Sequence, residues 1–329
     1  MATMKTLNGY GFNATELNGK TSNSYLLKTD TASDSAKLGG KAPKYYIQPR
    51  NLLDNSDFRN PVNQRGKTSY TKQGYTIDRW YSNNANKAIT LSNTGITLST
   101  GSTLFQKLDL IDALAGKTIT AAVCFADGTI AAKSGSSTNN GAYTSIVDVT
   151  QNNLRIRAYE GADGYICFQV EPNANIKLQW AALYEGNYTA DTLPPYVPKG
   201  YAAELEECRR YFRRYTAKDA SLILSGLVTS GAKDISVHAP ELTPMRTKNV
   251  SITYSGSGVL IRGVSGYATE CSNSNIYGNI SVSPYQNDPS FCATIDINKK
   301  DGTAWGLTNN TPVIVQFAAN STLDYIADL

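Results

Sequence analysis

Four aromatic residues in turn-like stretches of the last third of the chain are the first candidates for ligand contact. Trp305 lies in the segment DGTAWG, between glycine and small residues. A tryptophan in such a context is harder to explain as core than one inside a strand, so ligand contact and packing both stay open. Aromatic ring faces of this kind can stack on sugar rings. Three further candidates for exposed rings are Tyr267, Tyr277 and Tyr285.

Residues that could perform catalysis are few. His238 is the sole histidine and no serine lies in a G-x-S-x-G motif, so a Ser-His-Asp mechanism has little support. Glycoside hydrolysis requires only two facing carboxylates. Asp234, Glu241 and Glu270 are candidates, but the sequence does not pair them. We therefore expect no catalytic residue, no enzymatic activity and no cofactor.

The cysteines favour buried free thiols. They are five in number, widely separated and without a C-x-x-C motif, which argues against a disulfide scaffold and against a zinc site of the usual spacing. We expect no metal site. The five are Cys124, Cys167, Cys208, Cys271 and Cys292.

Composition favours a β-rich binding protein of several domains. The chain has 329 residues, of which 18% are charged and 21 are tyrosine. This length suits two or three domains, and a helical enzyme would carry more charge. The net charge of +4 is spread along the chain, so no nucleic-acid partner is expected. Without a long apolar run or an apolar N-terminal segment, neither membrane insertion nor signal-peptide secretion is expected.

Residues 1–50 contain a short repeat. Leu17-Asn18-Gly19-Lys20-Thr21 with Tyr25 aligns with Leu38-Gly39-Gly40-Lys41-Ala42 with Tyr46 at an offset of 21 residues. The segment is too poor in apolar residues to form its own core. We expect this leader to be ordered by stacking on or winding around other chains, with a disordered tail as the alternative.

Residues 51–199 show the two-residue alternation of β-strands. The clearest case is Ile176, Leu178, Trp180, Ala182 and Tyr184, which predicts that Trp180 faces the core. Turn-forming residues separate several such runs, and prolines at 194, 195 and 198 end them. This pattern predicts an antiparallel sandwich or jelly roll.

The block NLLDNSDFRNPVNQRGKTSYTKQGYTIDRW begins this middle segment. We expect its tryptophan, Trp80, to lie in the core. Asp78 and Arg79 are expected to pair locally or to anchor a loop. If the middle domain binds a ligand, loop polar groups and a tyrosine-rich edge should contact it. That edge comprises Tyr70, Tyr75 and Tyr81.

A helix is predicted from Tyr201 to Tyr215. Leu205, Cys208, Phe212 and Tyr215 follow heptad spacing and would form one apolar seam, which could dock on its own domain or meet other copies at a three-fold axis. The domain boundaries are then 200–216 for the linking helix and 217–329 for a C-terminal β-domain. Short strands predicted within residues 221–317 make that domain a second β-sandwich.

Several blocks, in their order, resemble bacteriophage or prophage tail-fibre and receptor-binding proteins. They are SAKLGGKAPKYY, NLLDNSDFRNPVNQRG followed by GYTIDRW, KLQWAALYEG and YVPKGYAAELEECRRYFRRY. The likeness spans residues 16 to about 215. It implies a carbohydrate-binding-module-like jelly roll in the middle and a homotrimeric fibre or spike overall, made in the host cytoplasm and assembled into the virion tail.

The resulting expectation is an all-β, multi-domain receptor-binding protein. Residues 1–50 would attach it to tail or baseplate proteins, and the C-terminal β-domain would meet a glycan or another envelope component of the host. One alternative is a purely structural fibre of the tail, baseplate or head. The other is a polysaccharide-degrading spike, although no long β-helix repeat is present.

Overall fold

The computed structural model describes residues 16–17, 20–21 and 49–327, with gaps at 109–113, 115, 137–143, 162–164, 221, 230–232, 239–244, 246–249, 257–258, 264–279, 285–293 and 300–301. The chain divides into two units, residues 1–50 and 51–329. In the first unit, β1 (Glu16–Leu17) pairs antiparallel with β2 (Lys20–Thr21). The repeat copy that begins at Leu38 lies outside the described residues.

Residues 51–199 form a sandwich of two antiparallel six-stranded sheets. The strands of the first sheet are β3 (Ser69–Tyr70), β6 (Ile89–Ser92), β7 (Gly95–Leu98), β9 (Thr118–Phe125), β10 (Ile130–Ser136) and β14 (Ile176–Glu185), in the order β10-β9-β14-β7-β6-β3. The second sheet contains β4 (Gly74–Tyr75), β5 (Tyr81–Ser82), β8 (Leu104–Leu108), β11 (Thr144–Gln151), β12 (Leu154–Glu160) and β13 (Ile166–Pro172), in the order β11-β12-β13-β8-β5-β4.

Apolar side chains from both sheets form one core, and Trp80 lies inside it. The Trp80 ring is fully buried, with its centroid 5.1 Å from that of Phe58 and 6.0 Å from that of Phe168, both edge-on. Its indole N–H donates to the Asn55 carbonyl at 2.8 Å, so the polar atom is satisfied. The prediction that Trp80 is a core residue is confirmed.

Trp180 is buried, as predicted, but it lies on the face of its sheet that points away from the main core. The register of β14 against β9 shifts between Leu178 and Trp180. One extra residue reverses the face that each later side chain occupies, so Leu178 and Leu183 belong to the main core while Trp180 joins a smaller buried cluster.

The proline-containing segment after β14 covers this smaller cluster. The Tyr196 ring stacks on Trp180 with centroids 4.6 Å apart and planes 2° from parallel, and Leu193 packs in the same cluster. The Tyr196 hydroxyl lies 3.2 Å from Ser56 Oγ, and burial raises the pKa of Tyr196 well above its ordinary value. The segment is therefore part of the folded domain as well as a connection.

Helix α1 (Tyr201–Arg209) ends earlier than the sequence predicts. Strand β15 (Phe212–Thr216) follows it and pairs antiparallel with β23 (Thr322–Ile326), with Phe212 opposite Ile326. The predicted helix from 201 to 215 is wrong in its second half, because hydrogen bonds to a strand far away in the sequence decide the conformation of this segment.

The predicted seam is therefore not one helical stripe. Leu205 and Cys208 lie on α1, whereas Phe212 and Tyr215 lie on β15. Three residues of separation put the latter two on opposite faces of the strand. The Tyr215 ring packs edge-on against Tyr325 of the C-terminal core at 5.8 Å, and Phe212 faces away from that core.

The C-terminal region forms a second sandwich, as predicted. Its smaller sheet has the order β15-β23-β18, where β18 spans Ser251–Ser255. The larger sheet contains β16 (Ile223–Thr229), β17 (Asp234–His238), β19 (Val259–Gly263), β20 (Ile280–Pro284), β21 (Thr294–Lys299) and β22 (Pro312–Phe317), in the order β19-β22-β16-β17-β21-β20. Side chains of both sheets share one core. The described chain is thus all-β and multi-domain.

Three cysteines in the described part of the chain, Cys124, Cys167 and Cys208, are buried free thiols, as expected. Burial raises the pKa of Cys167 to about 12, which keeps its thiol protonated. Within the described residues, every helix is too short or too polar to cross a membrane.

Candidate ligand-binding cleft

Asn55 fixes the loop with which the middle domain begins. Its side-chain amide donates to the carbonyls of Val62 and Asp78, each at 2.8 Å, and its oxygen accepts from the Val62 N–H at 2.7 Å. The residue is buried and adopts φ 52°, a left-handed conformation that asparagine tolerates better than most residues. The loop is thereby held against the segment that carries Asp78.

Polar contacts attach α1 to this loop. Glu204 accepts a hydrogen bond from the Asn55 N–H at 2.7 Å, and the Lys199 ammonium contacts Asp54 at 3.2 Å and Glu207. Carboxylate oxygens of Asp54, Glu204 and Glu207 lie within 4.8 Å of one another, close enough to hold a metal ion. The ammonium of Lys199 already balances two of them, so we assign no metal here.

Arg79 makes a second contact across the same junction. Its guanidinium bonds Asp54 at 3.1 Å, donates to the Lys107 carbonyl at 2.9 Å and lies 3.4 Å from the centroid of the Tyr211 ring. Asp78 and Arg79 thus anchor loops, which is the second of the two roles that the sequence predicts for them. They do not pair with each other, because Asp78 pairs with Arg65 at 3.0 Å and Arg79 with Asp54.

Gln64 connects the middle domain to the first strand of the C-terminal sandwich. Its amide donates to Asp78 Oδ2 at 2.8 Å and to the Phe212 carbonyl at 2.7 Å. Its oxygen accepts from the Arg214 N–H at 3.3 Å, and Arg214 in turn donates to the Arg65 carbonyl at 3.0 Å. This network fixes the two sandwiches relative to each other at one edge.

A cleft of about 500 Å³ opens beside this network. One wall is the segment of the middle domain from Arg65 through β3 to Tyr75 in β4, and the other is formed by Phe212 and Arg214 of β15 with Asp324 and Ile326 of β23. A volume of this size accommodates a small ligand. The cleft exists only because β15 is a strand that packs beside the middle domain.

Positive charge dominates the walls of the cleft. Among the described lining residues, the charged ones are Arg65, Lys67, Lys72 and Arg214 with one carboxylate, Asp324. Arg214 binds Asp324 through two hydrogen bonds of 2.6 and 2.7 Å, and this pairing raises the pKa of the arginine. In the part of the chain that the structure describes, Lys67 and Lys72 are exposed and form no ion pair.

Tyr70, which lines the cleft, and Asp78, which lies behind the lining residue Arg65, are held in defined protonation states. Burial raises the pKa of Tyr70 to about 12, and its hydroxyl donates to Asn63 Oδ1 at 2.6 Å, so the phenol is neutral. Burial likewise raises the pKa of Asp78 to about 6, although Arg65 and Gln64 oppose this shift. At neutral pH Asp78 is therefore largely ionised and pairs with Arg65.

The arrangement suits binding. Tyr70 and Tyr75 line the cleft together with hydroxyl, amide and ammonium groups supplied by Ser69, Thr71, Gln73 and the two lysines. Such a mixture of apolar surface and a few polar groups is typical of ligand sites. The one carboxylate among these lining residues, Asp324, is engaged by Arg214.

Trp305 is the one predicted aromatic contact residue that the structure describes, and it does not line this cleft. Trp305 is only 4% exposed and belongs to the C-terminal core, so the expectation of an exposed ring is corrected. Burial of a large apolar surface between the two sheets outweighs the local turn-like sequence. Tyr267, Tyr277 and Tyr285 lie outside the described residues.

Two of the three tyrosines expected at the edge of the middle domain do line the cleft. Tyr70 and Tyr75 are on its wall, while Tyr81 packs edge-on against Tyr75 at 5.1 Å. The charged lining residues were not predicted. The segment RGKTSYTKQGY concentrates basic and aromatic residues and was a usable signal for one wall, whereas Arg214 was interpreted as part of a helix.

No family model, curated protein or solved structure matches the chain.

Proposed function

We propose that the chain is the receptor-binding subunit of a phage or prophage tail fibre and that it attaches to a host-surface glycan through the cleft between its two sandwiches. The observation that carries this proposal is the cleft itself, which combines tyrosine side chains, other hydrogen-bonding side chains and two lysines without an ion-pair partner among the described residues in a volume of about 500 Å³. Saccharides present both hydroxyl groups and apolar ring faces, which such walls complement.

The organisation of the chain supports the same proposal. Two β-sandwiches form the cleft between them. We further propose that the first sandwich is a jelly roll similar to carbohydrate-binding modules. Residues 1–50 attach the chain to tail or baseplate proteins and hold three copies together. Three copies present three clefts, so weak single sites add up to firm attachment.

A cell-adhesion assay tests this function. Fluorescently labelled full-length protein is incubated with a panel of bacterial strains, and bound fluorescence is measured by flow cytometry. Thr71→Trp places a large side chain in the cleft from an exposed position and is expected to reduce adhesion at least tenfold. Thr150→Trp, exposed on β11 away from the cleft, is the matched control and should adhere normally.

Other outcomes of this assay favour other functions. Wild-type protein that adheres to no strain supports a purely structural fibre. Adhesion that Thr71→Trp leaves unchanged places the contact elsewhere on the chain. Release of reducing sugars from surface polysaccharide would identify a degrading spike. A monomeric mass for the full-length protein in sedimentation equilibrium contradicts the trimer.

A further inference from the structure

Within the described part of the chain, carboxylates balance only part of the positive charge at the cleft. Arg65 pairs with Asp78 and Arg214 pairs with Asp324, each within 3.0 Å. These two arginines are therefore compensated by carboxylates of the chain. Lys67 and Lys72 are the cations on the described walls that such pairs do not neutralise.

The two lysines occupy one wall and are separated by β3. Both side chains are exposed, so a ligand can reach the ammonium groups without displacing a protein partner. Arg65 stiffens the base of this wall, because its guanidinium lies between the rings of Phe212 at 3.7 Å and Tyr75 at 5.1 Å. A fixed base with two exposed cations is suited to an anionic group near the mouth of the cleft.

We propose that the ligand of this cleft is an anionic saccharide, whose phosphate or carboxylate group contacts Lys67 and Lys72 while its ring packs against the tyrosines. This inference rests on the proposed function and names the chemical class of the receptor. Attraction between an anion and these exposed lysines weakens with salt, so binding should fall as ionic strength rises.

A nucleic acid fits the same charges less well. Nucleic-acid surfaces extend as a stripe or patch of cations along the backbone path, whereas these cations converge on one cleft bounded by two walls. The net charge of the whole chain is only +4. A saccharide of a few units matches the enclosed volume.

The test uses full-length protein on an array of purified bacterial surface polysaccharides that carry phosphate, carboxylate or no charge, with single-stranded DNA as an anionic polymer without a matching shape. We expect binding to charged polysaccharides only, and the preferred class distinguishes phosphate from carboxylate. Lys67→Gln/Lys72→Gln should bind about tenfold more weakly. Lys67→Arg/Lys72→Arg should retain binding, and Lys87→Gln/Lys133→Gln, exposed elsewhere on the same domain, is the matched control.

Each result decides the inference. Binding to uncharged polysaccharides alone, equal binding to DNA, unchanged binding by Lys67→Gln/Lys72→Gln, or no polysaccharide binding would overturn it. If Lys67→Gln/Lys72→Gln adheres to cells as the wild type does, the proposed function is retained and the proposal of an anionic ligand is wrong. Binding to charged polysaccharides without adhesion to any cell would support the anionic ligand of the cleft and contradict the proposed role in host attachment.

Discussion

The guanidinium of Arg65 lies 3.7 Å from the centroid of the Phe212 ring, and this contact joins the loop of the middle domain to the first strand of the C-terminal sandwich. The same arginine pairs with the buried carboxylate of Asp78. One side chain therefore supports the domain junction and forms part of the cleft wall. Changes at this position should affect stability and binding together.

Arg65→Ala should lower the free energy of unfolding by about 3 kcal/mol, because it removes the cationic partner of a fully buried carboxylate. Urea denaturation at pH 7.5 measures the change. Arg155→Ala is the control, since Arg155 and Asp148 form a pair in which both side chains are well exposed, and its loss should cost less than about 1 kcal/mol. Equal costs for the two substitutions would mean that the junction pair contributes no more than a surface pair.

Asp78 should make the protein more stable as the pH falls below about 6. Burial raises the folded-state pKa to about 6 from an ordinary value of 3.8, so the folded state binds a proton in this window while the unfolded state does not. The wild type should gain stability relative to Asp78→Asn between pH 7.5 and pH 4.5, as measured by urea midpoints. Other carboxylates titrate in both proteins and cancel. If the wild type instead loses stability relative to Asp78→Asn as the pH falls, the interactions of Asp78 with Arg65 and Gln64 outweigh the effect of burial on its pKa.

Tyr196→Ala should expose Trp180. The two rings stack at 4.6 Å, and Trp180 is only 6% exposed in their presence. We expect a red-shifted tryptophan emission, easier quenching by acrylamide and a loss of about 2–3 kcal/mol of stability. Tyr196→Phe keeps the stacked ring and loses only the hydroxyl contact with Ser56, so its emission should match the wild type. Unchanged emission in Tyr196→Ala would show that other residues bury Trp180.

Gly95→Ala should disturb the pairing of β7 with β14. Gly95 has φ 134°, and an added Cβ would lie 2.1 Å from the Leu178 carbonyl oxygen, beside the register shift. We expect a loss of about 3 kcal/mol in thermal or urea unfolding. Gly128→Ala is the matched control, because φ is also positive there but nothing lies within 4 Å of the added atom, so only about 1 kcal/mol should be lost. Equal losses of stability in the two variants would mean that backbone strain, and not the contact with Leu178, accounts for the effect of Gly95→Ala.

Much of the fold follows from local sequence. Alternating apolar residues in runs such as Ile119 to Phe125 predict strands, because one face of each strand must be buried and the side-chain period is two. The burial of Trp80 and the free state of Cys124, Cys167 and Cys208 were predicted on similar grounds. The trimer, the attachment partner and the host receptor stay predictions.

The errors have one cause, which is contact between segments that are distant in the sequence. A single extra residue at the β14 register shift moved Trp180 to the outer face, and no local pattern announces such a shift. Phe212 and Tyr215 joined a strand because β23 was available to pair with them. Trp305 became buried because the two sheets of the C-terminal sandwich closed over it.

The amino-acid sequence by itself determined the all-β class, the short helix that begins at Tyr201 and the basic, tyrosine-rich segment from Arg65 to Tyr75. Composition and hydrophobic periodicity are properties of short stretches of sequence, so they can be determined before the tertiary contacts are known. Only the tertiary structure decided that Arg214 and Asp324 lie opposite that segment and complete a cleft. These residues come from strands separated in the sequence by most of the C-terminal domain, and their meeting depends on sheet pairing and on the partly buried hydrogen bonds of Gln64.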